Sequence, residues 1–238
     1  MIASLTFTYG VNRLDIFKYK QKDNIDRLLR SNLDYNLYMF HNSSEEYINE
    51  VRSTGYLNGF KIKFGHIQGT YPQALKASLE LLRNKGIKKL LFLQDDVFSV
   101  TTNEKQILDL INFLKNTDLN YLNLEQTFDD KDIEALSLQK TFKVLKTDTA
   151  YFRQNKLWSF DDAPYYASID FILNDLYDET YFSYPDIWSA EWYLKSKFDN
   201  KNILRPVTDT QLFRRVNFLG KNDWNKENEL IFLNKNFV

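Results

Sequence analysis

Apolar positions in the first 116 residues alternate between two periods. In "ASLTFTYG" (3–10) every second residue is apolar, the others are Ser and Thr, and the run stops at Gly10, which predicts a strand. Ile25, Leu28, Leu29 and Leu33 in "NIDRLLRSNLDYN" (24–36) recur at helical spacing. The pattern then repeats. Strands are predicted over 35–44 ("YNLYMFHNSS"), 60–67 ("FKIKFGHI") and 88–97 ("KKLLFLQDDV"). Helices are predicted over 45–55, ending at Gly55, over 73–84, before Gly86, and over 103–116, where Ile107, Leu110, Ile111 and Leu114 share one side. Strict β-α alternation predicts an α/β fold with a mostly parallel central sheet and helices on both faces.

Beyond residue 116 the pattern is less regular. Strands are expected over 120–126 and 141–153, and helices over 165–177 and 189–198, the last with Pro185 shortly before it. With no repeat, low-complexity tract or linker, the reading is one domain over 1–238. About 1–116 forms one half of it and about 117–238 an irregular second half.

The chemistry concentrates in "KKLLFLQDDVFSV" (88–100), where an apolar run fit for burial on both sheet faces ends in two adjacent carboxylates. Like charges at the end of a buried strand are costly unless something positive joins them. In open α/β sheets ligands bind beyond the carboxyl ends of the strands. Gly10, Asn42-Ser43-Ser44 and Asp95-Asp96 all fall at such ends. Neither G-x-x-x-x-G-K nor G-x-G-x-x-G is present, so a diphosphate bound there needs another source of positive charge. A carboxylate-held divalent cation supplies it, with Asp96 as ligand. Asp95 either shares the metal shell or accepts from a ribose hydroxyl.

Composition narrows the choice. The chain has no Cys and only two His, which excludes disulfides, thiolate chemistry and Cys- or His-based metal sites and leaves oxygen donors, suited to Mg²⁺ or Mn²⁺. A net charge of −1 argues against a nucleic-acid partner. No run is long and apolar enough for a membrane span, and "MIASLTFTYG" is no signal peptide. The expected setting is the cytoplasm, as a protein in its own right or as part of a longer multi-domain chain. The 16% aromatic content suits a core and equally a protein that handles flat or sugar-like ligands.

The segments beginning "SLTFTYGVNR", "YMFHNSS", "QALKASLELLRNKGIKKLLFLQDDVF" and "SIDFILNDLYDETYFSYPDIWSAEWYLKSKF", which span most of 4–198, together resemble a glycosyltransferase of the GT-A fold. "QDD" takes the place of that family's DxD-like motif. The resemblance implies a Rossmann-like nucleotide-donor-binding first half and an acceptor-binding second half. It implies that Thr6, Thr8, Tyr9 and Arg13 hold base and ribose, that Asn42 and Ser43 lie by the base, and that Gly69 to Gln73 sit under the donor. A late-helix acid serves as general base, Glu191 by preference, 95 residues beyond Asp96, with Asp186 next. Burial beside Trp188, Trp192 and Tyr193 is expected to raise the Glu191 pKa. Asp170 binds the acceptor or braces the fold. Arg214 and Arg215, with Asn217 and Lys221 behind them, are expected to close over the diphosphate.

The expected activity is therefore metal-dependent transfer of a sugar from a nucleoside diphosphate donor, a UDP-sugar first, to a hydroxyl of a glycan or other acceptor. The Glu191 position leans toward inversion. The alternatives are a non-catalytic glycan-binding or support domain and a sugar nucleotidyltransferase. The latter usually shows a glycine-rich N-terminal signature, and "TFTYGVNR" has one glycine.

Overall fold

The computed structural model describes residues 1–9, 14, 17–18, 30–31, 33–58, 62–95, 97–99, 104–124, 145–146, 151–155, 164–199, 205–208 and 213–215. Most of the helix expected at 24–36 lies outside them. Its last residues, Tyr35 and Asn36, belong to a strand instead.

Four strands form the first half of the sheet: β1 (Ile2–Tyr9), β2 (Tyr35–His41), β3 (Ile62–Ile67) and β4 (Lys89–Gln94). They lie in the order β3-β2-β1-β4 and every neighbouring pair is parallel. The connecting helices are α1 (Glu45–Ser53) and α2 (Tyr71–Asn84). The Ser44 side chain caps α1 through the Tyr47 amide, and Thr70 and Gln73 form a reciprocal capping box on α2. After β4 a short strand, β5 (Val97–Ser99), leads to α3 (Glu104–Asn116). The expected strand 88–97 thus ends at Gln94, and Val97 belongs to the next strand.

The second half adds β6 (Tyr121–Asn123), β7 (Leu145–Lys146), β8 (Tyr151–Asn155), β9 (Tyr165–Ser168) and β10 (Arg205–Thr208). Among the described residues they complete a nine-stranded sheet in the order β3-β2-β1-β4-β9-β6-β10-β8-β7. The expected strand 141–153 is two strands, β7 and β8, paired antiparallel. The expected helix 165–177 begins as strand β9, inserted antiparallel between β4 and β6. Tyr165, Tyr166 and Ala167 are fully buried there, and a strand points the two tyrosines to opposite faces, into separate cores. The Tyr165 ring stacks on Phe92 at 4.8 Å. Ser168 then caps α4 (Ile169–Phe171), which widens into a π-helical stretch, Ile172–Leu176.

The two sheet faces differ. On one, Ala3, Leu5 and Phe7 of β1 join Leu90 and Phe92 of β4 and the buried sides of α2, α5 (Glu179–Ser183) and α6 (Ile187–Asp199) in the largest core cluster. On the other, Leu91 and Leu93 pack on α3, and Tyr38 and Phe40 pack on α1. Between these two clusters β1 presents Ser4, Thr6 and Thr8, all buried.

Asp178 ties α5 to α6. Its Oδ1 caps α5 by accepting from the Tyr181 amide at 3.0 Å, while Oδ2 accepts from the Tyr193 hydroxyl at 2.6 Å and from Lys197 Nζ at 2.7 Å. Burial pushes this carboxyl up, but the hydrogen bonds from Lys197, Tyr193 and Tyr181 outweigh it and hold the pKa at about 2 against an ordinary 3.8. A depressed carboxylate adds stability above its unfolded pKa, and that stability fades as pH falls from about 4 through about 2. Because Asp178 is partly exposed, solvent screening keeps the contribution modest. Urea titrations should show Asp178→Asn less stable than wild type at pH 7 and converging with it near pH 2. Parallel curves from pH 7 to 2 would contradict this role.

Candidate functional site at the carboxyl edge of the sheet

The sheet reverses its winding at β1: β2 and β3 lie on one side of it and β4 on the other. Such switch points open a crevice at the carboxyl ends of the strands. Here Thr8, near the end of β1, donates from Oγ1 to Asp95 Oδ2, just past the end of β4, at 2.8 Å. Thr8 is fully buried and Asp95 is 4% exposed. The Asp95 amide also donates to Phe7 O at 2.8 Å. The first acid of the QDD sequence is therefore joined to β1 by both backbone and side chain.

Tyr47 extends the network, with its hydroxyl 3.1 Å from Thr8 Oγ1. Because Thr8 spends its proton on Asp95, Tyr47 is the donor in that pair. Tyr38 stands beside them. Burial pushes its phenol well above the ordinary range, the Tyr47 hydroxyl and Asp95 carboxylate push the same way, and Thr8 opposes them. Its hydroxyl reaches hydrogen-bond geometry with no described residue. Neither tyrosine is singled out by the sequence reading. The available signal was Tyr47 in the first turn of the helix after β2, a position that points back at the strand ends.

The neighbouring loops are pinned to one another. Asn42 adopts a left-handed φ of 47°, which Asn tolerates better than most residues. Its side chain pairs twice with Gly69, donating to the carbonyl at 2.9 Å and accepting from the amide at 3.0 Å. His41 Nε2 also lies 3.0 Å from the Gly69 carbonyl. Gly69 itself has φ 128°, a conformation that disfavours any side chain. Asn42 thus joins the ends of β2 and β3, and Gln73, expected under the donor, is engaged in capping α2. Ser43 is buried, its hydroxyl directed at the His41 carbonyl. Thr6 is buried in mid-strand. Tyr9 ends β1, opposite His41.

Arg13, Asp96, Asn217 and Lys221 lie outside the described residues. Arg214 and Arg215 sit on β11 (Phe213–Arg215), which pairs antiparallel with β5, Arg214 opposite Phe98 and Arg215 opposite Val97. The chain's double arginine is thus returned to the strand that directly follows the acidic pair.

Asp186 accepts from the Ser189 amide at 2.8 Å and from the Ser189 hydroxyl at 2.9 Å in the first turn of α6. These bonds hold its pKa below the ordinary carboxylate value. Glu191 is half-buried on the same helix. Its Oε1 is buried, while Trp188 and Trp192, expected beside it, are 67% and 68% exposed, on the side of α6 opposite Ala190 and Leu194, which enter the core. Asp170 is exposed on α4.

Among the described residues no three or more His, Asp or Glu side chains come together to hold a metal. Asp95 has one oxygen engaged by Thr8, so the described groups do not by themselves build a divalent-cation site. No described helix is long and apolar enough to cross a membrane.

No protein-family model and no curated protein matches the sequence. Solved structures do match in fold. S. aureus TarS 1–349 in complex with UDP-GlcNAc superposes with a TM-score of 0.54 at 11% identity, over 93% of this chain and 60% of that one. S. aureus TarS gives 0.52 at 12%, over 90% and 36%. The 4-diphosphocytidyl-2C-methyl-D-erythritol synthase of Anaerococcus prevotii DSM 20548 gives 0.54 at 12%, over 99% and 97%. The present chain spans about 60% of the TarS fragment and about a third of the longer TarS chain. Its fold is the α/β architecture of these GT-A-like and nucleotidyltransferase-like neighbours.

Thr8→Val keeps shape and removes the donor to a buried carboxylate, and should cost about 1–3 kcal/mol. Thr8→Ser, which keeps the hydroxyl, should lose only about 0.8 kcal/mol for its missing methyl. Chemical denaturation distinguishes the two. Equal losses would show that the hydrogen bond contributes nothing.

Proposed function

We propose that the chain is a glycosyltransferase that binds a nucleoside diphosphate sugar, a UDP-sugar first, at the carboxyl edge of β1–β4. It transfers the sugar to a hydroxyl of a glycan or similar acceptor. The observation that carries the reading is the Thr8–Asp95 bridge at the switch point, a buried acid held where sheets of this order bind their ligands. The UDP-GlcNAc of the TarS neighbour makes a nucleotide sugar the first ligand to test.

In this reading Thr6, Thr8, Tyr9 and Arg13 lie beneath base and ribose. Asn42 and Ser43 shape the base side of the pocket through their loop rather than as spare hydrogen-bonding groups, since Asn42 is already paired with Gly69. Arg214 and Arg215, brought beside β5, offset the diphosphate charge. The cation, Mn²⁺ or Mg²⁺, is the part of the reading that rests on the QDD sequence and Asp96, with Asp95 behind them. Glu191 takes the proton of the acceptor hydroxyl as its oxygen bonds to the anomeric carbon. The bond from that carbon to the diphosphate breaks, the nucleoside diphosphate leaves with the electron pair, and the configuration inverts. Asp186 is the less suitable base, because its capping bonds favour the weakly basic carboxylate.

A sugar nucleotidyltransferase is the second reading. It is favoured by the match to the Anaerococcus synthase, which covers nearly the whole of both chains. Release of pyrophosphate from a nucleoside triphosphate and a sugar phosphate would identify it.

Isothermal calorimetry against UDP, GDP, CDP and dTDP, with and without Mn²⁺, tests the main reading. One nucleotide should bind in a metal-dependent way, and Asp96→Asn should weaken it at least about tenfold, roughly 1.4 kcal/mol. Glu191→Gln should leave this binding intact while abolishing transfer. Absence of binding to all four would defeat the proposal.

A further inference from the structure

We propose that the two acids of the QDD sequence divide their work. Asp95 turns inward as an anchor, held by a hydroxyl relay from Tyr47 through Thr8, and the cation contact of the pair falls to Asp96. The inference rests on the glycosyltransferase reading and assigns Tyr47, which no sequence motif singles out, as a positioning residue of its metal site.

The relay starts from a helix cap. Ser44, in the loop after β2, accepts from the Tyr47 amide at 3.2 Å and so sets Tyr47 in the first turn of α1. Ile48 and Val51 bury that helix in one cluster with Tyr38 and Phe40 of β2. The Tyr47 hydroxyl is thereby brought to Thr8 Oγ1 at 3.1 Å, and Thr8 in turn donates to Asp95 Oδ2 at 2.8 Å. Thr8, Tyr47 and Asp95 are all buried. Tyr38 stands beside them, its ring edge-on to Phe17 at 5.7 Å and to Phe40 at 5.3 Å. In such apolar surroundings a chain of hydroxyls polarises along its length, and each bond counts for more than it would in water.

This arrangement suits an anchor better than a cation ligand. A ligand has to present its carboxylate to the crevice, whereas Asp95 is buried and directs one oxygen at a fully buried threonine. Its amide is held as well, donating to Phe7 O at 2.8 Å. Two positions on, Val97 is fully buried in the cluster on α3. In sequence, Asp96 therefore stands between two anchored neighbours. Groups one step behind a metal ligand typically govern metal affinity by about 10–100-fold, and the Tyr47–Thr8 relay is such a group.

The test is calorimetry of UDP with and without Mn²⁺, read as the ratio of the two affinities. It compares wild type with Asp95→Asn, Asp96→Asn, Tyr47→Phe, Thr8→Val and the Tyr47→Phe/Thr8→Val double variant. General damage to the fold lowers both affinities together and leaves the ratio unmoved. Asp96→Asn should erase the ratio. Asp95→Asn should keep it within about threefold of wild type, because its amide oxygen still accepts from Thr8. Tyr47→Phe and Thr8→Val should each reduce it by about tenfold. The double variant should be no worse than Thr8→Val, because the two changes act along one path. The inference is overturned if Asp95→Asn erases the ratio as Asp96→Asn does, or if Tyr47→Phe leaves it at the wild-type value. It is also overturned if wild type binds UDP equally with and without Mn²⁺. Failure of wild type to bind any nucleotide removes the glycosyltransferase reading itself, and this inference with it.

Discussion

A buried carboxylate at the junction of two parallel strands is the constraint around which this molecule is organised. Asp95 follows β4 directly at 4% exposure, and a carboxylate taken so far from water requires hydrogen-bond donors. Thr8 supplies one from the end of β1, and Tyr47 supports Thr8 from α1. Three elements distant in sequence are therefore fixed to one point. That point is where the sheet changes its direction of winding, and where a bound ligand would meet the strand ends.

The same logic runs down β1. Its outward residues on one face are Ala3, Leu5 and Phe7, part of the main core. On the other face Ser4, Thr6 and Thr8 make a buried polar seam between the cluster on α3 and the cluster on α1. Ser4 donates to Asn36 at 2.6 Å at the foot of this seam, and Thr8 meets Asp95 at its head. A central strand that needed only to be buried would carry apolar residues on both faces, as β4 does. The polar face of β1 is thus a cost accepted in the core, consistent with a site at its upper end.

Much of this was legible in the sequence. The alternating "ASLTFTY" already separates the two faces of β1, and the β-α alternation through residue 116 yields the parallel half of the sheet. The continuous apolar run before Asp95 marks the carboxyl end of β4. What was not legible depends on long-range partners. "YYASIDFILNDLY" carries helical spacing throughout, yet its first four residues become β9, because burying two tyrosines on opposite faces of a central strand outweighs local preference. The pairing of the Asn42 amide with Gly69, 27 residues away, is a contact that no local pattern announces. Trp188 and Trp192 were expected to cover Glu191, because the apolar stripe of α6 cannot be phased without knowing that Ala190 and Leu194 face the core.

The most direct test of the central claim, that the carboxyl edge of β1–β4 is a nucleotide-sugar site, is hydrogen–deuterium exchange with and without UDP and Mn²⁺. The account predicts ligand-dependent protection in peptides covering residues 5–9, 41–43, 94–99 and 213–215, with none at the opposite edge around 86–89 and 168–170. Protection confined to that opposite edge, or none anywhere at saturating ligand, would contradict it.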